Sequence, residues 1–292
     1  MGRKRSNDKK SKVYLFLIIL LAILLVTSRT CHKSPDKEAA KQILENSLNT
    51  SSNPATPEQE EETKKQTTMY RPDNNQLMGR IQHTHPDMVP VDPAMANRSG
   101  MYLHKEAWEA FLQMHAAAHN DGIRLIIVSA FRTFDHQKRI WENKWNGNQT
   151  LTGNINAAGI PNPVERAREI LKYSAMPGTS RHHWGTDIDI NSLNNNYFLS
   201  GKGLKEYEWL RQNAHTFGFC QPYTAKGPLR NQGYEEEKWH WSYMPLASAF
   251  LKQYNENISY EHINDFQGWE TASQIKVKEN YVMAIDDNCL NF

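Results

Sequence analysis

Polar and apolar positions alternate strictly over Thr186-Asp-Ile-Asp-Ile190, which predicts a strand with Ile188 and Ile190 on one face and Asp187 and Asp189 on the other. Ile123-Arg-Leu-Ile-Ile-Val128 is a nearly unbroken apolar run of strand length and predicts a buried strand. Trp239-His-Trp-Ser-Tyr243 has strand-like composition, and Phe217–Pro222 predicts a short strand or turn. Helical spacing runs through Trp108, Phe111, Leu112 and His115 within Leu103–His119, and Asn120-Asp-Gly122 stops it. Further helices are predicted through Gln137, Ile140 and Trp141, over Val164–Tyr173, over Leu204–Phe217 ahead of Gly218, and over Pro245–Tyr254. Residues 146–162, rich in Asn, Gly and Pro, read as a loop. Helices and short strands follow one another without regular β-α-β alternation or internal repeat. The predicted class is therefore α+β, a small antiparallel sheet flanked by helices.

The first 68 residues follow none of these patterns. Residues 13–28 hold the apolar run Val13–Val26, preceded by Arg3, Lys4, Arg5, Lys9, Lys10 and Lys12 against Asp8 alone. A basic flank before an apolar run predicts an exported chain, with residues 1–12 as a cytoplasmic tail and the remainder outside. No A-x-A-like cleavage site follows convincingly, and an uncleaved signal anchor is favoured over a signal peptide. Residues 29–68 contain no aromatic residue and are crowded with Ser, Thr, Pro, Glu and Lys, the composition of a flexible stalk. A catalytic domain is expected over 69–255 and a C-terminal extension packed on it over 256–292.

Charge adds one exclusion. Net charge is only +2 and the basic excess is confined to the N-terminal tail, with no interleaved aromatics, so no nucleic-acid partner is expected. Three cysteines, Cys31, Cys220 and Cys289, are too few for a disulfide framework, although an oxidising compartment would let Cys220 and Cys289 pair or leave both free.

Candidate chemistry concentrates in Ser180-Arg-His-His-Trp-Gly-Thr-Asp-Ile-Asp189 and in Glu237-Lys-Trp-His240. His182 and Asp189 lie too far apart for one helix or strand to align them, so a turn at Gly185 must bring them together. With His240 from a separate strand they form a His₂Asp donor set, the open arrangement of catalytic zinc. Glu237, three residues before His240, is positioned as the general base. Competing sites are weaker. His115-Ala-Ala-Ala-His119 has zincin spacing but Ala116 stands where the base belongs, His83-Thr-His85 lies in a loop, and no Gly-x-Ser-x-Gly elbow occurs.

Ser180-x-His182-x-x-Gly185-x-x-x-Asp189 followed by Glu237-x-Trp239-His240 resembles the zinc D-alanyl-D-alanine carboxypeptidases of the VanY type. These belong to the group with lysostaphin-like and hedgehog-like folds. Ser129-Ala-Phe-Arg132, with Gln137 five residues further on, is similar to a third motif of the family, with Phe131 in place of tyrosine. The resemblance spans about residues 70–255. It implies one zinc ion on His182, Asp189 and His240, Glu237 as base, Arg132 as the cation for the oxyanion, and Ser180, Gln137 and Trp239 as substrate contacts. It also implies peptidoglycan stem peptides as substrate, a terminal D-alanine as the group removed, and a place on the extracytoplasmic side of the membrane. An L,D-carboxypeptidase, a cross-link endopeptidase and a non-catalytic wall-binding module that keeps zinc are the alternatives. Asp187 departs from the broader group, which often has alanine there. Its role is left open, and Asp189→Ala but not Asp187→Ala is expected to lose the metal.

Overall fold

The computed structural model describes residues 70–292, so the predicted tail, apolar segment, stalk and Cys31 lie outside the described residues. No helix among the described residues is long and apolar enough to cross a membrane.

The described residues begin with α1 (Asn74–Leu77), whose Asp73 cap accepts from the Gln76 backbone while the Gln76 side chain reaches back to Asp73. A two-stranded ribbon follows, β1 (Met88–Pro90) antiparallel to β2 (Tyr102–His104). The helix predicted from Leu103 therefore starts two residues later, as α2 (Lys105–Asn120). The helix is as expected but its buried face is rotated: Ala107, Phe111, Met114 and Ala118 are buried, while Trp108, Leu112 and His115 are only partly so. Next come β3 (Ile127–Ser129), α3 (Phe134–Trp145) and α4 (Pro163–Ile170). The intervening loop contains a Leu151–Ile155 bridge and a 3₁₀ turn at Ala157–Gly159. A 3₁₀ turn at Arg181–Trp184 leads into β4 (Asp187–Ile190), followed by α5 (Gly201–Asn213), β5 (Phe219–Cys220), β6 (His240–Tyr243) and α6 (Met244–Asn257). The C-terminal residues add α7 (Thr271–Ile275) and α8 (Asp287–Leu290).

The main sheet has order β3-β4-β6-β5 and is antiparallel throughout, as the α+β reading predicts. β3 is shorter than the apolar run Ile123–Val128. Asn191, at φ 64°, ends β4, and its side-chain amide takes over the ladder's work by accepting from the Ile126 N–H and donating to the Arg124 carbonyl. The alternation in β4 holds. Ile188 and Ile190 join one core cluster with Leu103, Phe111, Ile127, Phe219 and Trp241, each isoleucine contributing about 1.5–3 kcal/mol by burial. That leaves Asp187 and Asp189 on the opposite face. A second cluster gathers Leu77, Trp141, Trp184, Phe250 and Tyr254.

Residues 256–292 are part of that second cluster and not an outer layer. Ile258, Ile263, Phe266, Ile275, Val277, Val282 and Ile285 are buried in it. Cys289 is bonded to Cys220 in β5, closing the open alternative in favour of a disulfide, and Asp286 accepts from Thr224 while its N–H donates to the Pro222 carbonyl. These ties hold the segment Gln221–Tyr223 that in turn supports Glu237, because the Glu237 N–H donates to Tyr223 and the Gln221 amide to Glu237. The bridge spans 69 residues of sequence. A loop of that length is worth about 4 kcal/mol in the chain-entropy account, or about 10 °C in melting temperature for a domain of this size. Cys220→Ser with Cys289→Ser is expected to show that shift in thermal unfolding, and an unchanged transition would show that the core alone anchors the C-terminus.

Candidate metal centre and cleft

The centre is built where three strands meet. The sheet register places Ser129 opposite Asp189 and Asp189 opposite His240, so β3, β4 and β6 present these side chains in one row. His182 arrives from the 3₁₀ turn, which stops at Gly185 in the left-handed region at φ 70°. A Cβ there would lie 2.9 Å from the His104 backbone nitrogen and the Met88 thioether, so both conformation and space require glycine. The turn is then stitched to the segment leaving β3: the Arg132 N–H donates to the His182 carbonyl, and His182 Nδ1–H donates to the Ala130 carbonyl at 3.0 Å.

That second bond decides the ring's tautomer. With Nδ1 as donor, the lone pair of His182 Nε2 faces inward, 3.3 Å from Asp189 Oδ1. Both atoms are buried and lack any hydrogen-bond partner. Buried polar atoms are rarely left so, and two facing each other beside a third donor are what a cation would satisfy. His182, Asp189 and His240 each offer one donor atom, all within 4.8 Å of one another. Imidazole and carboxylate donors in this number fit a single zinc ion with room for a further ligand.

His183 is excluded from the set. Its Nδ1–H donates to the Arg132 carbonyl at 2.7 Å and its Nε2 accepts from the Gly178 N–H at 3.0 Å. Burial is the main cause that lowers its pKa to about 3, so it stays neutral. It does not line the cleft but pins the turn from behind.

Electrostatics keep the donors in their binding forms. Burial opposes ionisation of Asp189, yet His182, His240 and Arg132 outweigh it and lower its pKa to about 2. Burial, with Arg132 nearby, lowers the pKa of His182. Burial raises the pKa of Glu237 more than its hydrogen bond with His240 lowers it, and Glu237 Oε2 lies 2.9 Å from His240 Nδ1. For His240 itself burial acts downward, but hydrogen bonds to Asp187 and Glu237 prevail and raise its pKa to about 9. In metal-free protein below that pH the ring carries a proton that a metal must displace. Zinc affinity of chelator-stripped protein is therefore expected to drop by about tenfold per pH unit below 9. Chelator-competition titrations between about pH 6 and 9 would measure the slope, and a flat profile would contradict this geometry.

Arg132 is held by three partners: Nε donates to Ser129 Oγ, Nη1 to Gln137 Oε1 and Nη2 to Asp189 Oδ2, each at 3.1 Å. Asp189 thus gives one oxygen to the arginine and keeps the other facing His182. Ser180, Trp239 and Glu237 line the cleft, which has a volume of about 1060 Å³ and also includes Lys144, Tyr173, Tyr223 and Tyr234. The expectation for Gln137 is corrected. Its side chain is fully buried and its amide is used up between Arg132 and the Ala175 carbonyl, so it does not reach the cleft and instead fixes the guanidinium. The tyrosines escaped sequence reasoning. Tyr223 stands edge-on to the His240 ring at 4.8 Å, and the buried Tyr234 hydroxyl has no partner. Neither has a motif or spacing that could have flagged it.

An antiparallel sheet presenting a His₂Asp donor set beside a buried glutamate defines a metallohydrolase-type centre. The chain belongs to the VanY family of D-alanyl-D-alanine carboxypeptidases, whose match covers residues 100–246 and hence every residue of that centre. A D-alanyl-D-alanine carboxypeptidase of Enterococcus faecalis is 30% identical over 145 residues, 50% of this chain and 49% of that protein. A Bacillus subtilis protein, whose own carboxypeptidase assignment is provisional, is 31% identical over 157 residues, 53% of this chain and 51% of its own length. The chain thus spans about half the length of the curated relatives it matches. Among solved structures, a mutant of the vancomycin-resistance D,D-pentapeptidase VanY in complex with Zn(II) is 25% identical with a TM-score of 0.40, covering 60% of this chain and 94% of that one.

Proposed function

We propose that this protein is a zinc-dependent carboxypeptidase that removes the terminal D-alanine from peptidoglycan stem peptides. The observation that carries the reading is the pair of buried, partnerless donor atoms, His182 Nε2 and Asp189 Oδ1, beside a buried Glu237 in an open cleft. Family membership supplies the substrate class. A zinc ion held by His182, Asp189 and His240 would supply Lewis acidity at the scissile carbonyl.

The remaining chemistry is that of the chain's own groups. Glu237, with its pKa raised by burial, removes a proton from the attacking water and returns it to the departing amine. Arg132 is fixed by Ser129, Gln137 and Asp189 before substrate arrives, so its charge is preorganised for the oxyanion of the tetrahedral adduct. Ser180 and Trp239 contact the peptide along the cleft wall, which Tyr173, Tyr223 and Tyr234 also line.

The Cys220–Cys289 bridge supports an oxidising, extracytoplasmic location, and the apolar segment over 13–28 is proposed as the anchor that places the domain there. Incubation of the purified protein with defined penta- and tetrapeptide stems tests the reading. Free D-alanine is expected from the pentapeptide and none in the presence of chelator. Release only from the tetrapeptide would convert the assignment to an L,D-carboxypeptidase.

A further inference from the structure

We infer that Asp187 and Arg181 form a buried positioning pair that selects Nδ1 of His240 as its metal-binding nitrogen. The inference rests on the zinc reading above.

Both oxygens of the Asp187 carboxylate are engaged. Asp187 and Arg181 have side chains with no solvent exposure. Asp187 Oδ2 accepts from Arg181 Nε at 3.1 Å and from His240 Nε2 at 2.8 Å. Its Oδ1 accepts from Thr186 Oγ1 at 2.7 Å and from Ser242 Oγ at 2.8 Å. Arg181 in turn donates from Nη2 to Ser242 Oγ at 2.6 Å and lies over the Trp184 ring. Four donors on two oxygens leave the carboxylate no freedom to rotate. Because β4 and β6 pair Asp187 with Ser242 and Asp189 with His240, the network is set by strand register.

One consequence is chemical. A carboxylate accepts only, so the His240 nitrogen facing it must be the protonated one. With Nε2–H fixed on Asp187, Nδ1 is the nitrogen left to give up its proton to a metal. That nitrogen lies 3.5 Å from Asp189 Oδ1 and 2.9 Å from Glu237 Oε2. His182 is pinned in the opposite sense, with Nδ1–H on the Ala130 carbonyl and Nε2 turned inward. The two histidines thus offer different nitrogens, each chosen by an outer partner on its far side.

The pair also accounts for its own composition. An aspartate in this position would be a buried charge without the adjacent arginine, and Arg181 would be one without Asp187. The network revises the expectation that Asp187→Ala leaves the metal in place.

The test uses the full chain loaded with zinc and labelled with ¹⁵N-histidine. Long-range ¹H–¹⁵N correlations are expected to show His240 protonated at Nε2 and ligated at Nδ1, and His182 the reverse. Ligation of His240 through Nε2 overturns the inference. Because Asp187→Ala alone strands a buried arginine, the paired variant Arg181→Leu with Asp187→Ala is the one to titrate. Its zinc affinity in chelator competition is expected to be about 10–100-fold weaker than wild type, with circular dichroism of a folded protein. Wild-type affinity in the folded variant also overturns it. If the variant does not fold, the wild-type spectrum alone decides. Failure of the wild-type chain to bind zinc at all would instead remove the zinc reading on which the inference stands.

Discussion

Glu237→Gln is expected to keep zinc bound while kcat for D-alanine release falls by about 10²–10⁴-fold, the range that general acid–base catalysis supplies. Glutamine matches the shape of the side chain and removes none of the three metal donors, so the centre should assemble. What it cannot do is hold and return a proton. Burial raises the pKa of Glu237, a shift that favours proton uptake over that of a solvated carboxylate. The loss should therefore appear in kcat with little change in KM. Zinc content by metal analysis and steady-state kinetics on a pentapeptide check both halves. Near-normal turnover in a zinc-loaded variant would remove Glu237 from the mechanism.

Asp189→Ala is expected to abolish both zinc binding and turnover, a larger loss in affinity than the about 10–100-fold that outer partners of a metal ligand control. The carboxylate serves two groups at once. Its Oδ1 faces His182 Nε2, and its Oδ2 accepts from Arg132 Nη2. Truncation takes away one of three metal donors and also releases the guanidinium from one of its three anchors. Asp189→Asn separates these effects, because its carboxamide oxygen can still accept from Arg132 while lacking the charge that favours the metal. Equilibrium dialysis against zinc, paired with activity, distinguishes the two variants. Zinc retention in Asp189→Ala would place the metal elsewhere.

Much of this centre is legible in the chain because it lies on short, strongly patterned segments. The strict alternation over Thr186–Ile190 sets which aspartates leave the core, and Gly185 marks the turn that returns His182 to Asp189. Choosing His182 over His183 rests on spacing, and the structure gives its physical reason: both nitrogens of His183 are committed to the backbone of Arg132 and Gly178. What was not legible depends on contacts distant in sequence. Asp187 could not be interpreted without Ser242 and His240 from β6. Gln137 is withheld from substrate by contacts with Arg132 and the Ala175 carbonyl, neither of which its sequence neighbourhood signals. The C-terminal residues have apolar spacing but no signal that they complete the core under Trp141 and Phe250. β3 starts late, at Ile127, because a single asparagine side chain stands in for the backbone ladder at Arg124 and Ile126, something propensity does not encode.

The central claim is that one metal ion on His182, Asp189 and His240 turns this cleft into a D-alanine-releasing carboxypeptidase. Stepwise addition of zinc to the chelator-stripped protein, with D-alanine release from a pentapeptide followed at each step, tests it most directly. Activity is expected to start near zero, to rise linearly with added zinc and to plateau at one equivalent per chain. Full activity in the stripped protein, or one equivalent of zinc bound without any D-alanine released, would contradict it.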